Sequence, residues 1–221
     1  MTTFAFVGAG PGLGLATARR FGAAGHTVAL ISRSAEKLEA LTTELAADGI
    51  KTRTSTADVL DIESLTTALH MARSSLGPIE ILQYSPAPRV DFMKPVLDTS
   101  ADELDASLAF SVKGPVACVN AVLPGMRELG RGTLLFVNGG SAVRPHAERA
   151  GTSIAFAAEG AYARMLHDAL APEHIHVSQL IVPGAIRPDA EHSSPEALAE
   201  RLYGIHAGRD GFRHYAEPLP D

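Results

Sequence analysis

Near its start the chain runs through Phe4-Ala5-Phe6-Val7, meets Gly8-Ala9-Gly10-Pro11-Gly12-Leu13-Gly14, and passes into an Ala/Leu/Arg pattern of helical period. That order reads as a short apolar strand, a tight turn and a helix. Glycines at 8, 12 and 14 let the backbone turn sharply, come close to a ligand and pack helix on strand. The helix behind the turn aims its first N–H groups and the positive end of its dipole at the turn, which suits a pyrophosphate. The plainer alternative is a glycine loop that only joins strand to helix. A second strand–helix unit with a ribose- or phosphate-reading residue at its strand end separates the two.

Such a unit follows. Thr27-Val28-Ala29-Leu30-Ile31 is branched and apolar on both faces, as a buried parallel strand should be. It ends in Ser32-Arg33-Ser34. Arg33 can pair with a 2′-phosphate, where a carboxylate would instead accept from a ribose 2′-OH, and Ser32 leaves no anion to repel that phosphate. Ser34 is the expected N-cap of a helix carrying Leu38, Leu41 and Leu45, with Gly49 just past its end. The pattern then repeats. Residues 51–57 give a weaker third strand closed by Asp58-Val59, and a helix with Ile62, Leu65, Leu69 and Leu76 stops at Gly77-Pro78. Ile79–Leu82 is the fourth strand and 84–99 is irregular. A long helix over 101–127 should be bent or interrupted at Gly114-Pro115. Thr133–Val137 leads to Asn138-Gly139-Gly140-Ser141, an Ala-rich helix covers 154–171, and Ile175–Val182 ends at Pro183-Gly184. A last helix spans 195–207, and Phe212–Tyr215 adds a short seventh strand. The expectation is an α/β protein: one Rossmann-type doubly wound parallel sheet with helices on both faces, a single domain over 1–221, its ligands beyond the carboxyl ends of the strands.

Composition narrows the function. Hydrophobic residues make up 46% and charged residues 20% of 221, a globular balance. A net charge of −6 with no basic run argues against nucleic acid or an anionic membrane as partner. The single cysteine, Cys118, reads as a packed core thiol in a reducing compartment. No charged leader precedes an apolar stretch, and no apolar run reaches the ~18 residues of a membrane span, so a cytoplasmic protein is expected.

Along nearly its whole length, from Gly8-x-x-x-Gly12-x-Gly14 to Pro183-Gly184, the sequence resembles the short-chain dehydrogenase/reductase family, with Val7 where a threonine usually opens the turn. The resemblance implies NADP(H), preferred over NAD(H). It places Gly8, Gly10, Gly12, Leu13 and Gly14 at the pyrophosphate, Ser32 and Arg33 at the 2′-phosphate, Asp58 and Val59 at the adenine, and Ser85 and Pro86 along the cofactor. The family's Asn-Asn-Ala-Gly after strand four is here Tyr84-Ser85-Pro86-Ala87. Of the family's catalytic set, the serine aligns with Ser141 and is present. Ser111 stands in place of the asparagine, Phe156 of the tyrosine and Gly160 of the lysine, and Pro188 replaces a threonine that holds the nicotinamide amide. A phenol gives or takes the proton on the substrate oxygen, and an ammonium lowers its pKa; phenylalanine and glycine do neither. No lysine occurs after Lys113, and Tyr162 lies about 240° around the helix from Phe156.

Other residues are weaker candidates. His146, Glu148 and Arg149 belong to the loop after Ser141. Glu159 reads as part of a solvated helix face. His174 and His176 share a strand face at spacing two, too few ligands for a metal site, and no metal is expected. Two functions stay open: an oxidoreductase acting on a small carbonyl or alcohol with Ser141 as remnant catalytic group, or a non-catalytic NADP(H)-binding sensor or partner subunit of an active relative. A fold relative that binds no nucleotide is the third. A homodimer or homotetramer through the helices at 101–127 and 154–171 is implied by the resemblance, and the substrate is an unidentified small molecule.

Overall fold

The computed structural model describes residues 2–219; the ends of the expected 1–221 domain, Met1, Pro220 and Asp221, lie outside the described residues. Seven parallel strands form one sheet in the order β3-β2-β1-β4-β5-β6-β7. They are β1 Thr3–Val7, β2 Thr27–Ser32, β3 Thr52–Thr56, β4 Ile79–Tyr84, β5 Gly132–Gly139, β6 Ile175–Val182 and β7 Arg213–Tyr215. The helices are α1 Leu13–Ala23, α2 Ala35–Ala47, α3 Ile62–Leu76, α4 Ala101–Leu108, α5 Gly114–Leu129, α6 Ala150–Leu170 and α7 Pro195–Gly208.

The central strand shows why the sheet needs helices on both faces. Side chains alternate along β1, so Phe4 and Phe6 enter one apolar layer with α1, α2 and α7. Ala5 and Val7 enter the other, against α3, α5 and α6. Phe4 stacks on Phe21 of α1 with ring centroids 4.3 Å apart. Apolar residues on both faces of a strand demand a cover on each.

Boundaries differ from expectation where helix period alone decided them. The long helix is interrupted next to Gly114-Pro115, one of the two expected outcomes, by a π-helical turn, Ala109–Lys113, and α5 runs past the expected end, through Pro124 to Leu129. The Ala-rich helix starts earlier, at Ala150. The 84–99 stretch contains two short turns, Val90–Phe92 and Val96–Asp98. By length and composition the helical stretch Ala101–Leu129 is apolar enough to cross a membrane, contrary to the expectation above. Here its Cys118, Val119, Val122 and Met126 lie in the layer against the sheet. Burial raises the Cys118 thiol pKa well above its ordinary value, which suits the expected packed role.

The strand order reverses between β1 and β4, and the crevice opens there. Gly8 N–H and Ala9 N–H both donate to the Ile31 carbonyl, at 2.9 and 3.0 Å, and Ser85 N–H donates to the Val7 carbonyl at 3.0 Å. Gly8 has φ +94°, and a Cβ on it would lie 2.3 Å from Pro86 Cα. Gly25 has the same φ but open space around it. Gly25→Ala therefore carries only the backbone strain, on the order of 1 kcal/mol, while Gly8→Ala adds a clash with backbone. Thermal unfolding should show Gly8→Ala lowering Tm clearly more than Gly25→Ala; equal losses would mean that the Pro86 loop yields freely.

Candidate functional site

The four glycines of the first turn divide their work. Gly8 uses its missing side chain to admit Pro86, and Gly14 to seat α1 on the turn, since a Cβ there would lie 3.2 Å from Ala9 Cα. Gly10 has no atom within 4 Å of where its Cβ would be, and Gly12 only Pro195 Cγ at 4.0 Å. Those two glycines leave open space on the crevice side. No side chain caps α1, and no acidic residue stands in its first turn. An uncapped N-terminus behind a backbone without side chains fits a pyrophosphate.

Two cavities adjoin this turn and share Gly8, Gly10, Pro86 and Ala87 as wall. The smaller, about 290 Å³, is lined by Ser32, Arg33, Ser34 and Lys37 at the ends of β2 and the start of α2. Ser34 caps α2 as expected, accepting from Lys37 N–H at 3.2 Å. Among the described residues, neither Arg33 nor Lys37 has an ion-pair partner. Two free cations beside a helix N-terminus suit a phosphate monoester. Sequence reading missed Lys37, although its spacing of four from Arg33 across the Ser34 cap was the available signal. Val59 lines this cavity but Asp58 does not: its carboxylate turns back to accept Leu60 N–H at 3.0 Å, bracing the turn after β3.

The larger cavity, about 560 Å³, extends from Gly10 and Gly12 past Ser85 and Pro86 to Ser141, Thr152 and Phe156. Phe156 packs against Ala142 and Ile181; Ile154, two residues earlier, is 43% exposed. Gly160 does not contribute to the cavity. A Cβ there would lie 3.0 Å from Gln179 Nε2 and 3.4 Å from Arg213 Nη2, so the position is filled from β6 and β7. Tyr162 packs half-buried in the layer that α6 shares with α3 and α5, where burial pushes its pKa up to about 12. Of the loop candidates, Arg149 lines the cavity, whereas His146 and Glu148 do not. His146 instead braces the loop, its N–H donating to Ser153 Oγ at 3.0 Å and its Nδ1 accepting from Glu148 N–H.

Glu159 corrects an expectation. It is not on a solvated face but 1% exposed, with the side chains of Asn138 and Ser111 beside its carboxyl and its Oε1 without a hydrogen-bond partner among the described residues. Asn138 Oδ1 accepts from Gln179 Nε2 at 2.8 Å, and Gln179 Oε1 accepts from Arg213 Nε at 2.9 Å. Hydrogen bonds thus link Arg213 at the sheet edge through Gln179 to Asn138, with Glu159 and Ser111 beside them. Ser111, 1% exposed, does not face the cavity. It sits on the π-helical turn, whose Phe110 carbonyl accepts the Tyr84 hydroxyl. That contact requires Gly114, where a Cβ would strike the same hydroxyl. Nor do His174 and His176 pair on a strand face. His174 precedes β6 with φ 58°, and His176 Nε2 meets Ser178 Oγ at 2.8 Å. Among the described residues no cluster could hold a metal.

Burial raises the Glu159 pKa to about 8, against the donors Asn138 and Ser111, which lower it. Below the ordinary value of 4.5 both folded and unfolded chains hold this proton. As pH rises toward 8 the unfolded chain releases it and the folded chain keeps it, so Glu159 subtracts stability across that window. Glu159→Gln keeps the shape and cannot ionise. Its Tm relative to the parent should therefore rise progressively between pH 4.5 and 8, read by thermal unfolding. A pH-independent difference would show that the carboxyl ionises freely in the folded chain.

The model of the short chain dehydrogenase family matches residues 3–199. Dehydrogenase/reductase SDR family member 4 from Sus scrofa is 28% identical over 80% of this chain and 62% of its own length. The first curated relatives matched are covered over only 10 to 62% of their lengths. A metagenomic short-chain oxidoreductase crystallised with NADP superposes with a TM-score of 0.84 at 22% identity, covering 100% of this chain and 97% of that one. A Pseudomonas aeruginosa PAO1 short-chain oxidoreductase described as containing an atypical catalytic center gives a TM-score of 0.85 at 20% identity, over 97% and 95%. At that identity the two structures speak for the fold alone.

Proposed function

The chain belongs to the short-chain dehydrogenase family, and on that premise we propose that it is an NADP(H)-binding oxidoreductase acting on a small carbonyl or alcohol through an altered site. The carrying observation is the continuous crevice: Arg33 and Lys37 at one end, open glycine backbone at Gly10 and Gly12 in the middle, the Ser141 hydroxyl at the other. A 2′-phosphate would be held by Arg33, Lys37 and the start of α2. The pyrophosphate would lie over Gly10, Gly12 and the start of α1, and Val59, Ser85 and Pro86 would line its course. The nicotinamide, when bound, supplies or accepts hydride. Ser141 polarises the substrate oxygen by hydrogen bonding, and the proton comes from water, because Phe156 has none to give. Loss of a positioned proton donor typically lowers the rate by ~10²–10⁴-fold, so turnover should be slow.

The second reading is a non-catalytic NADP(H)-binding protein. Two features favour it: the phenyl ring of Phe156 on the cavity wall, and the Gln179–Arg213 pair in the space beside Gly160. Association through α5 and α6 is proposed with either function. Ile154 and Met165 on α6, 43% and 64% exposed, supply apolar surface for it, and light scattering should give a dimer or tetramer. A cytoplasmic location is proposed from the net charge and the single buried cysteine.

Fluorescence titration should show NADPH binding more tightly than NADH. Arg33→Ala with Lys37→Ala should weaken NADPH roughly tenfold or more, as expected for two charge-assisted contacts, and leave NADH little changed. Equal weakening of both would place the two cations elsewhere on the dinucleotide. Oxidation of NADPH by any of a carbonyl panel supports the enzyme, and tight binding without turnover supports the second reading.

A further inference from the structure

The larger cavity has one feature that dinucleotide binding leaves unused. Among the described residues that line it, only Arg149 is ionisable; the rest are apolar, glycine, or neutral and polar. Among the described residues the Arg149 guanidinium has neither a hydrogen-bond nor an ion-pair partner, although Glu148 is its neighbour in sequence. Arginines on the exposed helices do find carboxylates: Arg73 pairs with Glu128, Arg127 with Glu173 and Arg164 with Asp168.

The backbone that carries Arg149 is held from both sides. Its N–H donates to the His146 carbonyl at 2.9 Å, and its carbonyl accepts the Thr152 hydroxyl at 3.2 Å. The next residue, Ala150, donates its N–H to the Lys94 carbonyl at 2.9 Å. Loop and helix start are thus tied to the irregular stretch across the cavity mouth. A cation on a cavity wall, its backbone anchored and its exposed side chain without a counter-charge among the described residues, suits recognition of an anion.

We infer that this end of the cavity takes a short aliphatic carbonyl or alcohol compound bearing a carboxylate, with Arg149 as the carboxylate's anchor and Ser141 at the carbonyl or hydroxyl oxygen. The inference rests on the oxidoreductase reading above for the reaction, but not for the binding. Pro88, Met93, Phe156 and Ile186 wall the same space and favour a small apolar body over a sugar. A single cation matches a carboxylate monoanion. A phosphate dianion calls for more, as at Arg33 and Lys37. Arginine presents two parallel donors to the two carboxylate oxygens, so the anchor orients its ligand as well as attracting it.

The test is saturation-transfer NMR on the whole chain, with and without NADPH, using 2-oxobutyrate and its neutral amide as probes. The acid should bind at least roughly tenfold more tightly than the amide, the worth of one charge-assisted pair. Arg149→Gln should reduce the acid to the amide's level while leaving the amide and NADPH unchanged, and Arg149→Lys should retain part of the difference. Equal binding of acid and amide, no binding of the acid, acid binding insensitive to Arg149→Gln, or displacement of the acid by inorganic phosphate at lower concentration would each overturn the assignment. Arg149-dependent binding of the acid in a chain that fails to bind NADPH would overturn the dinucleotide reading and leave the anchor standing.

Discussion

At the reversal of strand order, the backbone of Gly8 is caught between two neighbours and has room for no side chain. Hydrogen bonds from Gly8 and Ala9 to Ile31 hold the turn to β2, and the bond from Ser85 to Val7 draws the loop after β4 against its other side. Pro86 then lies where a Cβ would be. Because these contacts close the base of the turn, Gly10 and Gly12 stand clear of protein and the start of α1 faces the crevice. Both cavities use this wall. The ligand-facing backbone is open because the protein-facing backbone is so tightly closed.

The other half of the crevice is closely filled. The Phe156 ring packs on Ala142 and Ile181, and the space beside Gly160 is taken by Gln179 and Arg213. Behind them the buried Glu159 lies beside Asn138 and Ser111, its Oε1 without a partner among the described residues. A side chain at 160 would push on the Gln179 amide, which is bonded at both ends.

Hydrophobic period and glycine spacing were enough to find the seven strands and the sheet they form, because apolar runs bounded by turn residues have few other uses. The cavity at Arg33 was legible for a related reason. Arg33 stands just past a strand end, and strand ends are where such sheets hold ligands. Helix faces were harder. Glu159 among alanines looked solvated because a one-dimensional pattern cannot show that Asn138 and Ser111 wait across the gap. The π-helical turn was hidden as well: its cause is the Tyr84 hydroxyl reaching the Phe110 carbonyl from another element. Asp58 braces the turn after β3, a use that the sequence pattern does not separate from a ligand contact, since both want the same carboxylate in the same place.

The contact between Gly8 and Pro86 also orders events in time. β2 follows β1 across the single helix α1, whereas β4 reaches β1 only across β2, α2, β3 and α3 in the chain. Closing that longer loop is entropically more costly and slower than the local pairing. The wall shared by both cavities therefore depends on the later of these two closures. A molecule that fills the crevice binds only chains that have completed this closure, and by mass action it draws the population toward them. In such a protein the ligand acts as the last folding contact.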